Sequence, residues 1–446
     1  MIMNMNARRG CRAAPGARPE GRVSLFAGLA AALLAATPGI TQVPRPAPSP
    51  VAGPMLTVEQ AIERALGSAP SLGAGEAAVA MARAGRVQAG VRTPATVEVE
   101  AENFAGTGNY SVLEQAEITG TYSRLLERGG KRAARSALAD RDIDVAQAGL
   151  AVRRVEIAVA VERAFAAALI AEANVTAAAA QLEIERVLAR EAERRVKAYK
   201  DPLFVRTRSQ ARVAEAELGH AAATRLRDAA LEALAVWWGG RGADVVLDGG
   251  DFLRPQPVGP QAEELAGADL ALAEAEIARA DAAIALERTR STRDYTVGGG
   301  LRYLRQTDDV ALLARVTIPL TKPRHNRGNV DRVLAERERV ALDAEATRFV
   351  RSRQVAMLRR EAESARLEVM GIANEVLPKL DLALAQVREG YNRGGFSFAD
   401  VQDQARAVFE ARRRMVDALA RHHNARVELD RLTGRFARLV PQETRP

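Results

Sequence analysis

Small and aliphatic residues recur every seven positions at Leu138, Val145, Val152, Val159, Ala166, Ala173, Ala180 and Val187, with neither proline nor a turn cluster between them. This spacing predicts one helix over 130–200. At ~1.5 Å per residue it extends to roughly 105 Å, too long for a globular domain. The rod must therefore lie along other helices, and its seven-residue period favours a left-handed supercoil. Asp201-Pro202 marks a reversal, and 205–238 reads as the returning antiparallel helix. Alanine dominates the apolar content and aromatic residues make up 4% of the chain. That composition suits helices with closely spaced backbones in a thin wall better than a compact core.

The pattern recurs. Thr57 is placed to cap a helix carrying Val58, Ala61, Ile62 and Leu66, and a second helix follows Pro70 to about Gln88. Helical sequence at 262–288 answers these early helices, 332–389 answers the rod, and 400–432 answers the returning helix, with Pro378 expected to bend the second rod. Tyr199 and Gln210-Ala211-Arg212 pair with Tyr391 and Gln404-Ala405-Arg406, which indicates a tandem duplication.

Between the short and long helices of each half lie two segments of period two. Val97, Val99 and Ala101 alternate with Glu98, Glu100 and Glu102; Ala116, Ile118, Gly120 and Tyr122 alternate with Glu117, Thr119, Thr121 and Ser123. In the second half Tyr295, Val297, Gly299, Leu301 and Tyr303 alternate with Thr296, Gly298, Gly300 and Arg302, and Val310, Leu312, Ala314, Val316 and Ile318 oppose Leu313, Arg315 and Thr317. Each segment approaches the ~9–11 residues of a tilted membrane strand. Four strands do not close a barrel, and an open edge is not tolerated in lipid, so copies must combine. Two copies give eight strands and three give twelve; the period alone allows either.

Arg8, Arg9, Arg12, Arg18 and Arg22 precede an apolar run from Leu25 to Ala36, which reads as an export signal over 1–41. No later segment supplies the ~20 apolar residues of a membrane helix. Losing 1–41 removes five arginines and Glu20, which lowers the formal charge from +8 to +4. No basic stretch is interleaved with aromatic residues, so nucleic acid is not an expected partner. Cys11 precedes the apolar run, leaving the mature chain without a thiol, disulfide or cysteine-linked lipid anchor. The expected organisation is a Pro-rich linker at 42–55, a first repeat at 56–240 with β-hairpin 95–126 and helical hairpin 130–238, and a connection at 241–260. A second repeat follows at 261–436, with β-hairpin 294–320 and helical hairpin 328–434, then a tail at 437–446.

Leu56-Thr57-Val58-Glu59-Gln60-Ala61, Leu126-Glu127-Arg128-Gly129-Gly130-Lys131-Arg132, Pro319-Leu320 and Arg327-Gly328 resemble, in this order, the TolC-type outer-membrane factor (outer membrane efflux protein) family over roughly Leu56 to Gly434. Glu100-Ala101-Glu102-Asn103-Phe104 and Gly106-Thr107-Gly108 are most similar to its heavy-metal cation efflux (CzcC-like) branch. The chain departs from the family pattern around Thr93-Pro94-Ala95 and at Lys200-Asp201-Pro202-Leu203, where the first hairpin reads two residues shorter than the second. The resemblance implies a mainly α protein with membrane β. Its long antiparallel helical hairpins would form an α-barrel, and its four strands per protomer would contribute to a trimeric 12-stranded β-barrel. It implies localisation in the cell outer membrane, extending into the periplasm. The implied partners are two further copies, outer-membrane lipid, a periplasmic adaptor (membrane fusion) protein and an inner-membrane RND-type pump. The expected role is passive conduction of substrate, heavy-metal cations in this branch. The alternatives are a drug efflux or type I protein secretion conduit, or, from another class, a soluble periplasmic coiled-coil scaffold.

The resemblance also implies a gate: Tyr391 matches the tyrosine of a closing network at the second hairpin tip, and Asp400 and Asp403 match an acidic pair lining the constriction. Three copies of each carboxylate around an axis would attract cations, although acids at a helix start also answer the helix dipole. Glu98, Glu100 and Glu102 form an acidic barrel-lumen face, read either as favouring cations or as plain solvation of a polar strand face. His220, His325, His422 and His423 lack metal-ligand spacing, so no metal site is expected. Trp237-Trp238-Gly239-Gly240 reads as a helix end and Gly298-Gly299-Gly300 as close strand packing. No motif groups an acid, a base and a nucleophile, so neither catalysis nor a cofactor is expected.

Overall fold

The computed structural model describes residues 55–111, 113–250, 252–259, 265–320 and 325–438. The export signal, Cys11, the linker before Met55, Pro260 in the inter-repeat connection and the tail after Arg438 lie outside them.

Thr57 opens α1 (Val58–Ser68) through a capping box with Gln60, and Ala61, Ile62 and Ala65 form its buried face. Pro70 occupies the first turn of α2 (Pro70–Ala89), where its missing N–H costs no helical bond. β1 (Thr96–Glu102) and β2 (Glu117–Leu126) follow as a hairpin. At the strand-to-rod junction Gly129 and Gly130 both adopt left-handed φ, 69° and 74°. A side chain at Gly129 would also run into Thr292, so glycine is required there on two counts. Asp294 fastens the junction, accepting from Arg128 N at 2.9 Å and Lys131 Nζ at 2.7 Å.

The predicted rod is α3 (Lys131–Lys197), 67 residues without interruption. Of the eight seven-spaced residues only Val159 and Ala166 are buried; the other six are half-buried. The reason is that α3 packs against α1, α2, α4, α5 and α8 rather than along one seam. The returning helix α4 (Leu203–Ala235) ends in a short 3₁₀ turn, Val236–Trp238, and at Gly239, whose φ of 71° stops the helix. Trp237 and Trp238 pack there against the core around Ile62, Val161 and Leu234.

α5 (Ala268–Thr289), β3 (Tyr295–Leu304), β4 (Asp309–Thr317) and α6 (Arg327–Gly371) repeat the order. Ahead of Pro378 the rod widens into a π turn at Ile372–Val376 and resumes as α7 (Leu377–Arg393), before α8 (Phe398–Leu432) returns. Proline cannot bond the carbonyl four residues back, and a π turn accommodates the loss.

The two hairpins, one from each half, join into one antiparallel sheet of order β1-β2-β3-β4. Its register puts Glu98, Thr121, Gly300 and Leu313 in one row and Glu100, Thr119, Arg302 and Ala311 in the next. All four period-two patterns therefore agree on one polar and one apolar face. The apolar face is bare: Val97 is 75% and Leu312 86% exposed, and Val99, Ile118, Tyr122, Leu301, Val310 and Val316 are exposed beside them. Such a continuous apolar face marks a surface that meets something other than water. Among the described residues no helix is long and apolar enough to cross a membrane.

Candidate functional site at the hairpin tip and sheet

Both rods end in the same turn. In the second, Gly394 takes a φ of 89°, its N–H bonds Tyr391 O at 3.0 Å, and Gly395 N bonds Gly390 O at 2.8 Å. In the first, Tyr199 takes a φ of 56°, its N–H bonds Val196 O at 3.0 Å, and Lys200 N bonds Arg195 O at 2.9 Å. These are Schellman closures with a left-handed residue after the last helical turn. Each is followed three residues on by the N-cap of the returning helix, Ser397 and Pro202. Tyr199 thus stands where Gly394 stands, not where Tyr391 does, so the Tyr199 to Tyr391 correspondence does not hold. The two-residue shortening inferred from it disappears in the turn itself.

Tyr391 is 1% exposed. It packs with Leu188, Ala192, Val205, Leu384, Phe398, Val401, Ala405 and Val408, a cluster drawn from both hairpins. Its hydroxyl donates to Asp201 at the tip of the other hairpin. Arg195 grips the same carboxylate through Nε to Oδ2 at 2.9 Å and Nη2 to Oδ1 at 3.1 Å. It also donates Nη1 to Asn392 O at 3.2 Å and lies 4.4 Å from the Tyr391 ring centroid. The bonds from Arg195, and after them that from Tyr391, hold the Asp201 carboxyl below the usual range despite burial, which acts the other way. Burial, then Asp201, pushes the Tyr391 phenol up, so it stays a donor. One turn higher, Arg388 Nη2 donates to Glu191 Oε1 at 2.7 Å, again from the second hairpin to the first. Aromatic burial, a bidentate pair and a cation over a ring together hold the hairpins closed on one another.

Arg195 and Asp201 were not among the residues expected at the gate. Asp201 announces itself in sequence only as a turn residue before Pro202, and nothing local points to a phenol 190 residues away.

Asp400 and Asp403 do not touch Tyr391. Asp400 is the third residue of α8 and closes a capping box, its Oδ2 accepting from Ser397 N and Oγ, both at 2.8 Å. Bonds from the Ser397 side chain and backbone hold its carboxyl below the usual range. The helix-start reading therefore accounts for Asp400. Both aspartates are nonetheless exposed, one helical turn apart on the same side of α8, opposite the buried stripe of Val401, Ala405 and Val408.

On the sheet Glu98, Glu100 and Glu102 share the polar face with Glu117, Thr119 and Arg302. Arg302 reaches Thr119 Oγ1 at 3.0 Å, Glu117 at 3.0 Å and Glu102 at 3.6 Å. Glu98 and Glu100 are exposed and make no ion pair among the described residues. Elsewhere His423 stacks on Phe252 at 4.0 Å between ring centroids, with Nε2 3.0 Å from Phe252 O; His422 Nδ1 lies 2.9 Å from Ala362 O. Both are packing residues, and among the described residues no group of three or more His, Cys, Asp or Glu is placed to hold a metal ion.

No protein-family model matches the chain. The chain is 30% identical over 314 residues, 70% of its length and 75% of the relative's, to the cobalt-zinc-cadmium resistance protein CzcC of Cupriavidus metallidurans. Among solved structures it superposes on CusC with a TM-score of 0.68 at 16% identity, covering 84% of this chain and 91% of that one. The outer-membrane channel OprN gives 0.66 at 16% identity, with 84% and 89% covered. The outer membrane protein VceC of Vibrio cholerae gives 0.66 at 16% identity, with 84% and 96% covered. At these identities the structural likenesses establish the fold: a mainly helical chain carrying four strands, as in outer-membrane channels.

Proposed function

Because the chain belongs to the TolC-type outer-membrane factor family, in the branch represented by CzcC, we propose that it works as the outer-membrane conduit of a tripartite efflux system. Three copies complete a twelve-stranded barrel in lipid, and their helical hairpins continue it as a tunnel into the periplasm. There an adaptor protein joins it to an inner-membrane RND-type pump. The chain does no covalent chemistry; it supplies the route and the pump supplies the energy. Its cargo, by analogy with CzcC, is divalent heavy-metal cations of the cobalt, zinc and cadmium class. The expected leader at 1–41 delivers it across the inner membrane.

The observation that supports this most is the sheet, whose exposed apolar side chains all lie on one face while both edges stay open. In water that face and those edges are a liability; in lipid, closed by neighbours, they are required. Glu98, Glu100 and Glu102 then line the lumen and attract cations. Tyr391, held by Asp201 and Arg195, keeps the tip narrow, with Asp400 and Asp403 ringing its mouth.

Deletion of the gene tests the cargo. Tolerance to zinc, cobalt and cadmium should fall and return on complementation, with drug tolerance unchanged. The opposite profile would make this a drug conduit, and recovery of the protein in the soluble periplasm would make it a scaffold.

A further inference from the structure

On the polar face the β1 edge presents the three acids Glu98, Glu100 and Glu102, and the β4 edge presents Arg315 near its C-terminal end and Asp309 at its start, in the row of Glu102. Arg315 sits in the row of Thr96, Ser123 and Gly298, with Gly300 in the next row of β3. Its strand neighbour within the sheet therefore offers no side chain directly opposite it, and beside it only Gly300 and the uncharged Thr296. Exposed Arg315, like Glu98 and Glu100, has no ion-pair partner among the described residues. Glu102 shares Arg302 with Glu117 and makes the longer of the two contacts, 3.6 Å against 3.0 Å.

A neighbouring copy brings these edges together, which rests on the reading that copies complete the barrel. The size of the stagger at that seam follows from geometry. Strands tilted by ~35–45°, spaced ~4.8 Å apart and rising ~3.3 Å per residue, displace a pairing row by roughly four to six residues across four strands. Its direction follows from handedness. Seen from the apolar face with β1 running upward, the bond from Arg305 N to Ala116 O puts β3 to the left of β2. Right-handed twist then carries a row upward as it moves left, from the level of Thr96 toward Glu102. Only an even displacement keeps the polar faces aligned. Four residues lead from Thr96 to Glu100, and six lead to Glu102.

We propose that Arg315 of one copy is the counter-ion of Glu100 and Glu102 on β1 of the next, and that this pair sets the register in which the copies join. The acidic ladder is then a recognition element for the seam as well as a lumen lining. Cross-strand pairs of opposite charge favour one alignment over its slipped neighbours.

Cysteine pairs read the register directly, because the only native cysteine is Cys11 and disulfides demand close Cα approach. Arg315→Cys is combined in turn with Glu100→Cys, Glu102→Cys and, as the unstaggered control, Thr96→Cys. On oxidation of the outer-membrane fraction, the Glu100 or the Glu102 pairing should convert most of the protein to covalent oligomers, and the Thr96 pairing should not. Separately, Arg315→Glu should lower the temperature at which the detergent-resistant oligomer falls apart, and adding Glu100→Arg with Glu102→Arg should restore it. A heat-resistant oligomer that cross-links at neither glutamate and ignores Arg315→Glu would overturn the seam pair while leaving the conduit standing. A parent protein that is monomeric throughout would overturn both.

Discussion

The long stave of the first half, α3 (Lys131–Lys197), and its counterpart Arg327–Arg393 have the same length but are built differently. α3 is one unbroken helix, whereas the second stave carries Pro378 and the π turn Ile372–Val376 interrupts its ladder. α3 is also held by five other helices, whereas α6 packs chiefly on α5 and α8. The duplication has thus produced an unbroken stave and one interrupted by a π turn. The tip network takes Arg195 and Asp201 from the unbroken stave's hairpin and Tyr391 from the interrupted one, and so ties the two hairpins together beyond the interruption.

The largest expected effect separates two tyrosines that look alike in sequence. Tyr391→Ala should cost ~3–5 kcal/mol through the cavity it leaves, seen as a lower midpoint in denaturant titration. Tyr199→Gly should instead stabilise by about 1 kcal/mol, since Tyr199 is 97% exposed and held at positive φ. Equal losses at the two sites would break the distinction between a lock residue and a turn residue.

A middle-sized effect separates the tip from the region of α8 near the inter-repeat connection by pH. Burial depresses the His423 imidazole to about 4, against ~6.5 in an unfolded chain. The unfolded state therefore binds the extra proton first, and stability should fall by up to roughly 3 kcal/mol as pH drops from about 6.5 to 4. His423→Gln should flatten that slope. Asp201 behaves differently: its carboxyl is held below the usual range, so its contribution is complete above about pH 4 and is lost only in stronger acid. Hydrogen exchange at the tip should stay slow across the window in which α8 near His423 loosens.

The smallest effect concerns the interruption. Pro378→Leu should let the ladder close, stabilise by about 1 kcal/mol of the ~3 kcal/mol a mid-helix proline costs, and slow amide exchange at 372–376. Unchanged exchange there would show that the π turn has another cause.

Much of the frame was legible because its signals are local. Thr57 with Gln60 specifies the first cap, Pro70 the start of α2, and the paired glycines 129 and 130 the turn into the rod. The alternation in each strand was readable because a pleat has period two, and the register then stacked four such patterns on one face. What was hidden is non-local or ambiguous. The seven-spaced residues of α3 imply a single seam, yet several helices share its surface. Asp400 serves as a cap and Asp201 as a network acid, though both precede or begin a helix in much the same way. Tyr199 resembled Tyr391 until φ placed it beside Gly394. Nothing in the sequence around Pro378 says whether a proline will kink a helix or be absorbed by a π turn.

The most direct measurement is the conductance of detergent-solubilised outer-membrane protein added to a planar lipid bilayer, for the parent and for Tyr391→Phe combined with Asp201→Asn. A cation-selective pore that is narrow in the parent and conducts several-fold more in the variant is the predicted result. Absence of any pore from either protein would contradict the claim that neighbouring copies complete this four-stranded sheet into a channel closed at its helical tip.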